Sequence, residues 1–315
     1  MDQSNDLIIQ AKELTKQFGN DIAVENITFA VPRGTIFGFI GPSGSGKTTT
    51  IRLLNGIYKP TSGDVAILGR SKGFNSAIRR KIGYMPQHFV LYPDLTVWEN
   101  LNFAASIYGM GWFRGKRLNQ LLNFVELSDS QHKLAREISG GMQRRLSLAA
   151  TLIHNPELVF LDEPTASIDP ILRQKFWDHF RELQNQGRTI FVTTQYVGEA
   201  AYCDLVGVIS EGHLIAVDTP DGLRRRTFGG EFVDLKTSAP IDFASILQLH
   251  QMPFVKGDVT QASNNSLRLI VDNASTAIPE IVSWCKDRKI EVVSIEEYVP
   301  PFDDVFVELI KKDSN

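Results

Sequence analysis

The sequence predicts an α/β protein built on a parallel sheet, interrupted by an inserted helical subdomain and followed by a small α+β domain of ferredoxin-like order. Three observations carry that prediction. Apolar runs at residues 158–161 and 189–193, each preceded by a helical pattern, read as buried parallel strands with crossover helices. A glycine-rich turn at residues 41–48 joins an apolar run to a helical stretch. From Glu231 onward the pattern becomes strand, helix, strand, strand, helix, strand.

Taken in order, residues 7–9, 27–31 and 35–40 are short apolar or alternating runs broken by Gly19-Asn20 and Pro32-Arg33-Gly34, and read as strands. The stretch 47–55, closed by Gly56, is predicted helical. Residues 88–155 carry helical apolar spacing, notably over 95–108 and 118–125, and form the predicted insert. Gly229-Gly230 marks the predicted boundary, giving domains 1–228 and 229–315. In the second domain the expected elements are strand 232–236, helix 241–250, strands 254–259 and 267–271, helix 278–288 and strand 291–296, a split βαβ arrangement.

With 315 residues, two domains are the natural expectation. The 43% hydrophobic and 22% charged fractions are those of a folded globular chain. A net charge of −3 gives no general attraction to nucleic acid, which is not an expected partner. Two cysteines, Cys203 and Cys285, make neither a disulfide framework nor a metal-like spacing. The first residues lack a secretory pattern and no later run approaches a spanning helix, so any link to a membrane is expected to come from another chain.

The run Gly41-Pro42-Ser43-Gly44-Ser45-Gly46-Lys47-Thr48 fits G-x-x-x-x-G-K-[ST] in the required context, after a strand and opening a helix. Its glycines let consecutive N–H groups turn inward as an anion nest, reinforced by the positive end of the helix dipole. Lys47 supplies a point charge for β and γ phosphates, and the Thr48 hydroxyl suits Mg²⁺. Alone, this loop does not separate transporters from kinases or small GTPases. At Asp162-Glu163 an apolar strand ends in adjacent acids at the sheet edge where open α/β folds bind ligands. There Asp162 suits the metal and Glu163 suits polarisation of an attacking water, although such a pair can also be a plain helix start.

The run Ile138-Ser139-Gly140-Gly141-Met142-Gln143-Arg144-Arg145 precedes the acids. With it the chain resembles the ATP-binding cassette (ABC) family over residues of about 7 to 220: phosphate loop at 41–48, Gln87 after Gly83-Tyr84-Met85-Pro86, the Ser139-Gly140-Gly141 signature, Asp162-Glu163, then Ser167-Ile168-Asp169. The resemblance implies a P-loop NTPase fold of ABC ATPase type, with ATP and Mg²⁺ as cofactors. It adds Thr49, Ser139, Gly140, Gly141 and Met142 to the nucleotide contacts and Gln87 to the metal's surroundings. It also implies a head-to-tail dimer with a second ABC subunit and a separate integral membrane permease, working on the inner face of the cell membrane. Physically, Ser139 can cap the helix that follows while the glycines bare its N–H groups, making a second anion site. An ordinary glycine-rich cap has the same local sequence.

Two positions depart from the family pattern. Met142 stands where Gln is usual, and Gln195 stands where the family places a histidine near the γ phosphate. An amide can donate a hydrogen bond but cannot carry charge or relay a proton, so slow hydrolysis is the expectation and an ATP-gated regulator the alternative. Phe18 in Lys16-Gln17-Phe18-Gly19 matches the aromatic that stacks adenine in the family, or is simple core. His88 and Arg224-Arg225-Arg226 read as solvated surface. The tail from Pro300 resembles the extra module of ABC-2-type exporter ATPases of the drug-resistance and NodI-like kind, implying export and an accessory or regulatory role for residues 229–315. Soluble cassette proteins of translation or repair are the rival within the family, but lack of a second cassette or long coiled coil argues against them.

Overall fold

Two long strands, β1 (Leu7–Phe18) and β2 (Asp21–Pro32), open the computed structural model as a hairpin turned at Gly19-Asn20, as the glycine there requires. Residues 6–70, 76–88, 91–166, 168–257 and 259–313 are described. Next come β3 (Ile36–Ile40), helix α1 (Lys47–Leu54) and β4 (Ser62–Ile67), which completes a three-stranded antiparallel sheet of order β2-β1-β4. The chain then adds α2 (Ser76–Arg79), β5 (Ile82–Met85), α3 (Val97–Ile107), α4 (Gly115–Phe124) and α5 (Gly140–Thr151). After these follow β6 (Leu158–Asp162), α6 (Pro170–Asn185), β7 (Thr189–Thr194), β8 (Leu205–Ser210) and β9 (His213–Asp218).

A six-stranded sheet runs β5-β6-β7-β3-β8-β9, parallel from β5 through β8. Every residue of β3, β6 and β7 is buried, which explains why these segments read as continuous apolar runs with no alternation. Phe29 of β2, Phe37 and Phe39 of β3 and Phe191 of β7 stack at centroid separations of 5.3 to 6.5 Å, binding the two sheets of this unit into one core. Sequence reading missed β4 and β5, which are only 6 and 4 residues long.

The predicted insert is helical and consists of α3, α4 and α5. Helix α3 starts two residues later than the expected 95–108, because Thr96 and Glu99 form a capping box that fixes its first turn. Phe89 and Val90, near the start of the expected insert, lie outside the described residues.

The chain divides into units Met1–Val217 and Asp218–Asn315. The expected boundary after residue 228 is therefore corrected: α7 (Pro220–Phe228) belongs to the second unit, where it packs on the C-terminal helix. That unit continues with β10 (Glu231–Thr237), α8 (Phe243–His250), β11 (Thr260–Ser263), β12 (Ser266–Val271), α9 (Ala274–Asp287), β13 (Val292–Tyr298) and α10 (Phe302–Asp313). Its antiparallel sheet has the order β11-β12-β10-β13, the strand order of a split βαβ module. The strand expected at 254–259 is not one. Phe254, Val255 and Val259 turn onto the core beneath the sheet, Val255 makes a single bridge to Val271, and the strand itself lies at Thr260–Ser263.

Candidate functional site

Strands β6, β7 and β3 are neighbours, so their carboxyl ends lie side by side, with Asp162 opposite Thr193 and Thr194 opposite Ile40. The phosphate loop leaves β3 at this edge, and the Gly41 N–H donates to the Thr194 carbonyl at 3.3 Å. Two of its glycines are dictated by space. A Cβ on Gly41 would sit 2.1 Å from the Ile209 carbonyl oxygen. Gly46 has φ 103 and its Cβ would meet the Ala23 carbonyl at 2.5 Å. Lys47 is buried and its ammonium donates to the Gly41 and Pro42 carbonyls at 2.9 and 2.8 Å, which folds the side chain back over its own loop. Burial pulls its pKa below the ordinary value, although Glu163 and Asp162 oppose the shift. A desolvated cation at the mouth of an amide nest is a site for polyanionic phosphate. Ser43 and Gly44 are exposed on this loop, Ser45 and Thr50 are buried, and Thr48 and Thr49 sit half-buried in the first turn of α1.

Asp162 is fully buried. One oxygen, Oδ1, accepts from the Thr193 and Thr48 hydroxyls at 2.7 and 3.2 Å, while Oδ2 has no hydrogen-bond partner among the described residues. Burial raises its pKa against those two hydrogen bonds and the charges of Arg52 and Lys47. No group of three or more His, Cys, Asp or Glu that could hold a metal exists among the described residues. One orphaned carboxylate oxygen beside a threonine hydroxyl instead fits a hard cation that arrives on phosphate oxygens and keeps waters, which is the habit of Mg²⁺.

The raised Asp162 pKa has a testable sign. In the window between the ordinary carboxylate range and the raised value the folded state binds the proton more tightly, so this group's contribution to stability falls as pH rises through the window. The melting temperature of the protein without nucleotide, relative to Asp162→Asn, therefore declines from acidic towards neutral pH. A difference independent of pH contradicts the assignment.

Glu163 follows at φ 48, a strained backbone held by its N–H donating to the Thr193 carbonyl and hydroxyl at 3.0 and 3.1 Å. Its carboxylate lies between two predicted site residues: Oε1 is 3.7 Å from the Lys47 ammonium and Oε2 accepts from the Gln87 amide at 3.0 Å. The plain helix start that Glu163-Pro164 could have been is excluded, since α6 begins only at Pro170, capped by Asp169. Sequence reading missed two members of this cluster. Thr193 joins both acids, and its signal was its register opposite Asp162; Arg144, two residues past the signature's Met142, donates to the Glu163 carbonyl at 2.9 Å.

Ser139 caps α5, accepting from the Met142 N–H at 3.3 Å. A Cβ on Gly140 would meet nothing within 4 Å, so this helix end is open, whereas one on Gly141 would meet Leu172 of α6 at 2.6 Å. The signature is thus a free helix N-terminus packed on the helix that Asp169 starts. Ser167 lies outside the described residues.

Phe18 ends β1 with 43% of its surface exposed, edge-on to Tyr58 at 5.3 Å and beneath the Lys16 ammonium at 4.9 Å. It is not core, and its ring is available for stacking. Phe18→Ala should weaken ATP binding by about tenfold, the worth of one aromatic stack, with Phe18→Trp restoring it; unchanged titration curves in both variants contradict that role. Gln195 is exposed immediately after Thr194, the residue whose carbonyl holds Gly41, so it stands beside the phosphate loop.

The ABC transporter family matches residues 24–166, from β2 through the acid pair. The probable multidrug ABC transporter ATP-binding protein YbhF of Escherichia coli is 41% identical over 229 residues, 72% of this chain, and this chain spans only 40% of that relative's length. The linearmycin resistance ATP-binding protein LnrL of Bacillus subtilis is 32% identical over 309 residues, covering 96% of this chain and 98% of its own. Among solved structures, the dimeric post-hydrolysis ATP-binding cassette MJ0796 bound to ADP and Pi is 28% identical with a TM-score of 0.62, covering 67% of this chain and 98% of its own. With the phosphate loop, Gln87, the capped signature and the acid pair in family order, and a resistance protein matched almost end to end, the chain belongs to the ABC transporter family.

Proposed function

We propose that this chain binds and hydrolyses ATP with Mg²⁺ as one of two head-to-tail cassettes that drive export through a separate membrane permease, at the inner face of the membrane. The observation that carries the reading is the single carboxylate of Glu163 held between Lys47 and Gln87 at the edge where β6, β7 and β3 end. The amides of the phosphate loop and Lys47 bind and orient the phosphates. Thr48 and Asp162 would hold Mg²⁺, which supplies neutralisation of charge on the phosphate oxygens. Glu163 accepts a proton from the attacking water at its carboxylate, and Gln87 sets the direction of that carboxylate. Ser139 to Met142 of one copy offer open helix N–H groups to the nucleotide of the other. No helix among the described residues is long and apolar enough to cross a membrane.

Phosphate release by purified protein tests the hydrolytic step. Measurable turnover that Gln195→His preserves or raises and Glu163→Gln abolishes supports hydrolysis. Wild-type turnover indistinguishable from that of Glu163→Gln would instead leave the chain an ATP-gated regulator. Co-purification with a polytopic membrane protein tests the transport arm separately.

A further inference from the structure

The hairpin of α3 and α4 ends in a loop whose side chains do not behave as a soluble surface should. Trp112 is 96% and Phe113 104% exposed, and Ile107, the last residue of α3, is 68% exposed. Full exposure of two adjacent large aromatics is not frayed chain here. Arg114 ties the loop down with three hydrogen bonds, from Nε to Asn102 Oδ1 at 2.7 Å, from Nη1 to the Met110 carbonyl at 2.9 Å and from Nη2 to Ser106 Oγ at 2.6 Å. The aromatics are thus presented on a fixed support, so little conformational freedom remains to be lost when something covers them.

The charge around the tip points to what covers it. Between Glu99 and Glu126 the sequence has no carboxylate, while Arg114, Lys116 and Arg117 are all positive, in a chain whose net charge is −3. Beside the tip lies a hollow of about 540 Å³ lined by Arg80, Tyr108, Met110, Arg117 and His154 among others, again without any acidic residue. Exposed aromatic rings set among cations, with carboxylates excluded, match the headgroup layer of an anionic bilayer. Trp partitions to that layer as an amphipathic ring, and each nearby Lys or Arg is attracted to the negative surface potential.

We propose that the tip of the α3–α4 hairpin is a lipid contact, in which Trp112 and Phe113 enter the headgroup level of an anionic membrane while the exposed Arg80 and Lys116 offer charge to its phosphates. This contact belongs to the chain itself and needs neither nucleotide nor permease, so it stands or falls independently of the ATPase reading.

The test uses the full chain with vesicles of phosphatidylcholine, alone or mixed with phosphatidylglycerol. Trp177 and Trp284 are buried and Trp98 is half-buried, so Trp112 is the tryptophan open to the vesicle. With phosphatidylglycerol present, tryptophan emission should shift to the blue and be quenched by brominated lipid; both responses should vanish in Trp112→Phe, which keeps an aromatic ring. Trp112→Ser combined with Phe113→Ser should lower vesicle partitioning by about tenfold or more, and added salt should weaken binding of the wild type. Because both positions are exposed, circular dichroism and melting of the Ser variant should match the wild type, separating lost contact from lost fold. Emission unmoved by anionic vesicles, a shift that persists in Trp112→Phe, or equal partitioning of the Ser variant overturns the proposal, the first of these being the result expected if a protein surface covers the tip instead.

Discussion

Glu163→Gln lowers phosphate release by roughly 10² to 10⁴-fold, the usual worth of a positioned general base, while leaving ATP bound. The substitution is nearly isosteric, and the anchors of this position are backbone groups: the N–H donates to Thr193 and the carbonyl accepts from Arg144, so the strained conformation at φ 48 has no reason to change. What disappears is a proton acceptor and a charge 3.7 Å from Lys47. Losing that charge leaves the buried ammonium freer for phosphate, so ATP affinity should hold or rise while turnover collapses. Single-turnover phosphate release beside equilibrium ATP titration separates the two; release within about twofold of wild type would remove Glu163 from the chemistry.

Gly41→Ala should be destabilising and should abolish nucleotide binding. Its new methyl would meet the Ile209 carbonyl at 2.1 Å and the Ser45 hydroxyl at 2.7 Å, one of them backbone at the end of β8, so either the phosphate loop or the strand must shift. Overpacking of this kind costs about 2 to 3 kcal/mol, which lowers the melting temperature of a unit this size by roughly 5 to 10 °C. Because the displaced loop is the anion nest itself, added ATP should no longer raise the melting temperature as it does for the wild type. Gly140→Ala is the control: the same methyl there meets open space at a helix start, so its melting temperature should stay within the range of neutral surface changes. Equal melting of Gly41→Ala and wild type, with ATP stabilisation intact, contradicts this account.

The parts of the site legible in the sequence are those set by short-range rules. The phosphate loop declares itself through glycines that no other residue can replace, the signature through a serine cap, and the acids through their place at a strand end. Thr193 and Arg144 stayed hidden because their roles come from register between β6 and β7 and from the reach of α5, which depend on how distant segments pair. The second unit shows the same limit. The segment 254–259 has a strand's composition, but Phe254, Val255 and Val259 are drawn against a core that sequence alone does not locate, and Val255 keeps a single bridge to Val271. Helix α10 follows directly on Pro300-Pro301, and its Phe302, Val305 and Leu309 form a helical stripe that is buried.

The four-stranded sheet of the second unit stops at β13, paired on one side only with β10 and carrying the exposed Val293. Such a margin is a template onto which a strand from any neighbouring molecule could zip. Glu296 and Glu297 sit on this same strand, and their like charges would repel an approaching copy. Keeping copies of the chain apart at this margin during concentration and overexpression therefore falls to two surface carboxylates far along the chain from any chemistry.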